Sequence, residues 1–385
     1  TQRELDVLAV IDHLALGGAE MLLGQFAAAA PRANIRLHVA HFEEGDGSPA
    51  AEPLRAVGIE PVNMHVSGRP GARHMRAMRN HIRAVRPDIV HTHLGTADLI
   101  GGLAARSLGT PAVSTIHWIT QRGAGLRRAK DALFTLGRRC CDARVIAVSD
   151  SARRAYLEQS WGMGERVVRI YNGVDVEARP GSGAAVRREL GIAEDELLVG
   201  MVSALRPEKG HDVAIAAVQR LCDRFPRLRL LIVGAGPLDG ELARLSAPLG
   251  GRVVLAGRRT DVASVLDALD VCLHPSRLDA FPTTLIEALA TSAPVLSTSV
   301  GGIPEIIEDG KTGVLIAGPP TAGALADALE GLLADPSRRS ALAEAGRRTY
   351  EERFTAEPWI QTTRALYDSV LAEAGAGRNP LGRWR

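Results

Sequence analysis

Lysine is nearly missing from this 385-residue chain: it occurs only at Lys130, Lys209 and Lys311, so all but three of its 46 basic residues are arginine. A compact ammonium that persists against such a background marks a position where a point charge matters. Cysteine is scarce too. Cys140 and Cys141 are adjacent, and Cys222 and Cys272 sit in apolar runs, which makes neither a disulfide framework nor a zinc ligand set. A reducing, cytoplasmic compartment is the expectation. No run approaches the roughly 18 uninterrupted apolar residues of a membrane span, and the first strand-like run begins at Leu5, so neither a spanning helix nor a signal peptide is expected. A net charge of +2 is too small to argue for nucleic acid as a partner.

What the chain does contain is alternation. Short β-branched runs at 5–11, 35–41, 88–92, 111–116, 143–148 and 166–171 are followed by 197–203, 228–233, 252–256, 271–275 and 293–298, with longer amphipathic stretches between. This predicts repeated βαβ units and parallel sheets. The length exceeds one ordinary core. The expected fold class is therefore α/β, with two Rossmann-like doubly wound parallel-sheet domains facing a central cleft. The Pro- and Gly-rich run Glu177–Gly183 reads as the linker. The expected domains are 1–176, 184–354, and a C-terminal helix over 355–385 that packs back on the first domain through Trp359, Leu366 and Val370 and frays from Gly375.

The most informative stretch lies in the second domain. Asp279 and Glu287 stand eight positions apart across a predicted strand–loop–helix junction. Phe281–Thr284 reads as the loop and Leu285–Ala290 as the first turns of a helix whose open N–H groups form an anion site. A diphosphate fits there, with a carboxylate on either side for hydroxyls, which is the layout of a nucleotide-sugar site. Thr284 and Glu287 also have capping-box spacing, in which Glu287 would only tie down the helix, and Asp279 alone would serve as a turn residue.

Two further segments belong to the same chemistry. Arg206-Pro207-Glu208-Lys209-Gly210 follows the first strand of the second domain, and Lys209 is placed there as a phosphate-binding cation; a solvated loop lysine is the plain alternative. Gly17-Gly18-Ala19-Glu20 opens a helix after the first strand, where glycine lets a ligand approach the backbone, although any tight turn of this kind uses glycines. By contrast, Gly234-Ala235-Gly236-Pro237-Leu238-Asp239-Gly240 has its last glycine one position late for a dinucleotide fingerprint. It is a tight turn rather than an NAD site.

Imidazoles and arginines complete the inventory. His91, His93 and His117 fall near predicted strand ends. Without a cysteine or carboxylate partner they are a weak metal signal, and no metal is expected; His117 reads better as a sugar contact. Asn172-Gly173-Val174-Asp175 reads as a hinge turn. Arg69, Arg73, Arg76, Arg79, Arg83 and Arg86 recur at helical spacing beside Met75, Met78 and Ile82. Such a helix suits an anionic membrane or acceptor, while a solvated face is the commoner outcome in an arginine-rich protein. Arg122, Arg127, Arg128, Arg138 and Arg139 add charge in a second region of the same domain.

Taken in order, these segments resemble the retaining glycosyltransferases of family 4, which have the two-domain GT-B fold. The resemblance is densest over 197–318, where Arg206–Gly210, Leu231–Pro237, Gly257-Arg258-Arg259 with Asp261, Asp279–Glu287 and Gly301-Gly302-Ile303-Pro304-Glu305 follow one another. It implies a hexosyl transfer from a nucleotide diphosphate sugar, most commonly a UDP-sugar, to an acceptor hydroxyl. Glu287 would hold the ribose, Asp279 the donor sugar, and Lys209 with Arg206 the diphosphate. Backbone N–H groups of Gly18 and of Thr283, Thr284 and Leu285 would approach the diphosphate oxygens, with Gly17 and Pro282 beside them in the nucleotide site. Arg258 would lie by the base and His117 would touch the sugar. No cofactor or metal is implied. The acceptor would be a sugar, a lipid-linked sugar or a natural product, with peripheral membrane contact through the arginine-rich first domain. The family usually has Glu-Gly where this chain has Asp279-Ala280, an arginine where it has Ala204, and glycine where it has Ser292. A non-catalytic nucleotide-sugar binder or another GT-B enzyme, such as a nucleotide-sugar epimerase, is the alternative.

Overall fold

The structure, a computed structural model, describes residues 3–15, 17–42, 49–66, 68, 70–119, 125–160, 162–177 and 181–376, without the side chains of residue 49 and of 125–130. The chain forms two units: Thr1–Gly173 with Ala356–Arg385, and Val174–Thr355. The boundary lies a few residues before the expected linker. Val174 N–H donates to the Phe354 carbonyl at 3.0 Å, and the Tyr350 hydroxyl contacts both Val174 and Val176, so this segment is bound into the second unit. Gly183 is no linker residue either. It opens the Ser182–Glu189 helix, where a Cβ would come within 2.4 Å of the Ala268 backbone nitrogen.

The first unit holds a seven-stranded parallel sheet in the order β3-β2-β1-β4-β5-β6-β7. Its strands are β1 (Leu5–Ile11), β2 (Ile35–His41), β3 (Val62–Asn63), β4 (Ile89–His93), β5 (Ala112–Ile116), β6 (Asp142–Ala147) and β7 (Val167–Arg169). β1 is a nearly unbroken apolar run because helices cover both of its faces. Val7, Ala9 and Ile11 join a core with Leu23 and Phe26; Leu8 and Val10 join another with Met78 and Ile82. The two-residue β3 gives no alternating pattern and is absent from the sequence-based strand set. It covers only Ala40 and His41 of β2, and a cavity of about 570 Å³ borders the amino-terminal half of that strand.

The second unit carries a six-stranded parallel sheet in the order β10-β9-β8-β11-β12-β13. Its strands are β8 (Leu197–Val202), β9 (Leu228–Val233), β10 (Val253–Gly257), β11 (Val271–His274), β12 (Val295–Thr298) and β13 (Val314–Ile316). Short β13 likewise escapes the pattern. β8 connects onward to β9 on one side, while β11 lies against its other side. The strand order therefore reverses between β8 and β11, and such sheets bind ligands at the carboxyl ends of strands at that point.

The Ala356–Gly375 helix belongs to the first unit. Its Ile360, Tyr367 and Val370 enter the β1 core. Buried Arg364 donates to the Ala33 and Asn34 carbonyls at 2.7 and 2.9 Å and to the Arg3 carbonyl at 2.7 Å. The arginine-rich helix, Ala72–Val85, changes the expectation of membrane contact. Met78 and Ile82 are buried in the core and Met75 packs against it, so the apolar stripe is spent on the fold, and Arg73, Arg76 and Arg83 face outward with Asn80 and Ala84. Arg138 is not surface charge either: it is buried against Asp98, with Nε donating to Oδ2 at 3.0 Å. Arg69 and Arg122 lie outside the described residues, as do the side chains of Arg127 and Arg128. Among the described residues no helix is long and apolar enough to cross a membrane.

Arg364→Ala would strip three carbonyls of a buried, charge-assisted donor. The expected cost is about 3 kcal/mol, visible as a lower urea midpoint in tryptophan fluorescence.

Candidate functional site

At the carboxyl end of β8 the chain turns through Pro207–Lys209 into the His211–Leu221 helix. Gly210 makes this turn at φ +74°, and a Cβ there would sit 2.1 Å from the Pro275 carbonyl oxygen. Glycine thus brings the Lys209 loop against the chain leaving β11. There the Lys209 ammonium donates to Asp279 Oδ2 at 2.6 Å. His274 Nε2 lies 3.0 Å from the same oxygen, and Ser276 Oγ lies 3.0 Å from His274 Nε2. Burial opposes the charge on Asp279, but Lys209 and His274 outweigh it and hold the carboxyl well below the usual range. Burial keeps His274 below its ordinary value and hence neutral.

The neighbouring helix is Thr283–Ala290, two residues longer at its start than expected, with Pro282 as its N-cap and no side-chain cap. The capping box between Thr284 and Glu287 does not form. Leu285 N–H is taken by the Pro282 carbonyl at 3.2 Å, so the groups open to an anion are those of Thr283 and Thr284 rather than Leu285. Glu287 lies one turn in. Burial raises its pKa from 4.5 to about 7, and no ion pair relieves it among the described residues.

Two helix starts of the first unit have a carboxylate beside them. Gly17 caps the Gly18–Ala29 helix, and a Cβ on it would lie 2.3 Å from Glu20 Oε2. Its missing side chain makes room for Glu20, itself paired with His13 at 3.0 Å, rather than for a ligand; Gly18 faces open space. At the Gly95–Leu108 helix, Asp12 accepts from the N–H groups of Thr96 at 3.1 Å and Ala97 at 2.6 Å. The Gly95–Leu108 start is thus already capped by a carboxylate, whereas Glu20 lies beside the other start without a cap bond to it.

The three histidines gather at the ends of β4 and β5. His91 Nδ1 meets the Tyr367 hydroxyl at 2.6 Å and its Nε2 meets Thr115 Oγ1 at 2.7 Å. His93 Nδ1 and His117 Nε2 are 2.9 Å apart. Burial lowers His91 to about 3 and His117 to about 4, so each ring is neutral near pH 7 and acts only through hydrogen bonds. They line a small cavity closed by Phe26 and Trp359. Among the described residues no three metal-ligating side chains are grouped to hold an ion.

The structure thus brings Lys209, on the turn after β8, together with Asp279 and Pro282 on the loop after β11 and Thr283, Thr284 and Glu287 in the helix that follows it, all in one unit. Arg206 and Arg258 are exposed, and among the described residues Arg258 has no ion-pair partner while its neighbour Arg259 binds Glu189 and Asp261. Gly17, Gly18 and His117 belong to the other unit. The sequence pattern set the strand end at His274-Pro275 beside the base, not beside Asp279, and gave no role to Arg277 or Asp12. Arg277 ties the two loops together: its N–H donates to the Glu208 carbonyl at 2.7 Å, its Nη1 to the Pro207 carbonyl at 2.6 Å, and its Nη2 to Asp212 at 2.6 Å. Only a contact across many residues reveals such a part.

Two doubly wound parallel-sheet units in one chain make the GT-B architecture. Anabaena HepE, solved with UDP-glucose, matches at a TM-score of 0.83 and 24% identity over 95% of this chain and 100% of its own. A Rickettsia africae glycosyltransferase matches at 0.80 and 20% identity, covering 96% and 99%. At these identities the likeness is one of fold.

Sequence relatives carry the identification further. Residues 184–349 match the family described as glycosyl transferases group 1, and 16–178 match glycosyltransferase family 4. D-inositol 3-phosphate glycosyltransferase of Nocardia farcinica is 32% identical over 75% of this chain and 69% of its own length. That of Rhodococcus jostii is 32% identical over 73% and 66%. The chain belongs to the family 4 glycosyltransferases.

Glu287 supplies a pH test. A carboxyl raised by burial favours its neutral form, whereas ligand hydroxyls bind best to the ionised one. Nucleotide affinity should therefore rise as pH climbs through about 7. Calorimetry from pH 5.5 to 8.5 should show this step in the wild type and not in Glu287→Gln.

Proposed function

We propose that this glycosyltransferase moves a hexosyl group from a nucleoside diphosphate sugar, a UDP-sugar first among them, to an acceptor hydroxyl with retention at the anomeric carbon. The observation that carries this is the Lys209–Asp279 pair beside the uncapped Thr283–Ala290 helix start, at the point where the strand order of the second sheet reverses. Lys209 and the N–H groups of Thr283 and Thr284 stabilise the charge that grows on the departing diphosphate. Arg206 adds an exposed cation from the same loop. With charge handled in this way, no metal is required. Glu287 accepts from the ribose hydroxyls and Asp279 from the sugar. Arg258 approaches the base.

In the first unit, Gly18 offers an open backbone and His117 a neutral hydrogen-bonding ring for the sugar. No protein nucleophile is assigned; the acceptor attacks from the side of the departing phosphate, which takes its proton. A UDP donor is supported by the HepE complex with UDP-glucose, and a phosphorylated polyol is one acceptor to try first, given the names of the relatives. A sugar, a lipid-linked sugar and a natural product are the other acceptor classes, and any membrane contact would be through outward arginines alone.

A non-catalytic nucleotide-sugar binder is the second reading, favoured by the standing neutralisation of Lys209. Donor hydrolysis without acceptor would eliminate it.

A thermal-shift screen of UDP, GDP, ADP and TDP with their sugar conjugates tests the donor site. One nucleotide series should raise the unfolding midpoint, and Lys209→Ala and Glu287→Ala should each lose most of that rise, corresponding to at least about tenfold in affinity. A rise preserved in both variants would place the nucleotide elsewhere.

A further inference from the structure

We propose that Asp279 is the standing counter-ion of Lys209 and that their pair makes the site prefer the sugar conjugate over the free nucleoside diphosphate, so that spent nucleotide leaves readily. This rests on the second unit being the donor site. Three contacts converge on one carboxylate oxygen of Asp279: Lys209 Nζ at 2.6 Å, His274 Nε2 at 3.0 Å and Ser276 Oγ at 3.5 Å, all on Oδ2. None of them uses Oδ1. One oxygen is thus committed to the protein, and the other is left to accept a hydroxyl.

The pair is also fixed in place. Arg277 clamps the Pro207 and Glu208 carbonyls of the lysine loop, Gly210 abuts the Pro275 carbonyl, and the Asp279 carbonyl accepts from Gly302 N–H at 3.1 Å. Both side chains are largely sheltered, at 20% and 12% exposure, so solvent screens the pair weakly. Lys209 therefore meets a diphosphate as half of an ion pair, with a carboxylate charge beside the incoming anion. Free nucleoside diphosphate has nothing to offer that carboxylate. A sugar conjugate does, because its hydroxyl donates to Oδ1 and turns the repelling charge into a hydrogen-bond acceptor. The same group thus opposes product and rewards donor.

The test compares UDP with UDP-glucose, or with whichever conjugate the donor screen selects, by calorimetry at one salt concentration. In unaltered protein, UDP binds more weakly than the conjugate. Asp279→Asn keeps the shape and removes the charge, so UDP should bind about tenfold more tightly while the conjugate gains nothing, and product inhibition should deepen. Asp279→Glu keeps the charge and should leave UDP affinity near the wild-type value. Asp279→Ala provides a second neutral variant if Asn lowers the unfolding midpoint. UDP affinity unchanged or weaker in both neutral variants, or UDP binding the wild type more tightly than the conjugate, overturns the proposal. Failure of the donor-site assignment is seen separately, as UDP binding that is indifferent to Lys209→Ala and Glu287→Ala.

Discussion

One short contact organises the second unit: the Lys209 ammonium against Asp279 Oδ2 at 2.6 Å. It joins the loop after β8 to the loop after β11, two strands that are neighbours in the sheet and distant in the chain. Around it, Arg277 ties the loop backbones, His274 steadies the carboxylate from below, and Gly210 permits the close approach. An ion pair in this position costs desolvation of both partners. The fold tolerates that cost because the pair is charge-compensated and keeps part of each side chain, 20% and 12%, exposed.

A contrast among helix starts runs through the molecule. Each helix leaves open N–H groups and a partial positive charge at its beginning. In the first unit Glu20 and Asp12 already sit against two such starts, and burial raises the Asp12 carboxyl to about 6. In the second unit the start at Thr283 has no side-chain cap. A motif that merely marks a glycine or a strand–helix junction does not express which side chain stands beside the start. Glu287 adds a second asymmetry: it is a carboxyl held near neutrality by burial, a few residues from one held firmly ionised by its cation.

Much of the fold was legible in the sequence because parallel strands buried on both faces become continuous apolar runs. All but β3 and β13 were visible as short apolar or β-branched runs; the two-residue β3 is too short to show a period, and the three-residue β13 was missed although β7 of equal length was read. The α/β class and the GT-B resemblance agree with the architecture and with the matched families. Within the site, Lys209, Asp279 and Glu287 stood out by rarity and spacing. The helix beginning at Thr283 was read late because Pro282 and two threonines look like a loop, although proline at an N-cap and threonine in a first turn are compatible with a helix. Gly17 was read as an opening for ligand, whereas Glu20 three residues on fills that space. The arginine-rich helix was amphipathic as expected, but its apolar side belonged to the core.

By itself the sequence determined the βαβ alternation, the family, and which charged side chains stand out by rarity and spacing, because these depend on residue type and local spacing. Tertiary structure decided which helix start is open, which oxygen of Asp279 is engaged, which arginine clamps the loops and which arginine is buried. Those outcomes arise from contacts between residues tens to hundreds of positions apart, whose geometry is set by strand order and packing, and local pattern carries no record of them.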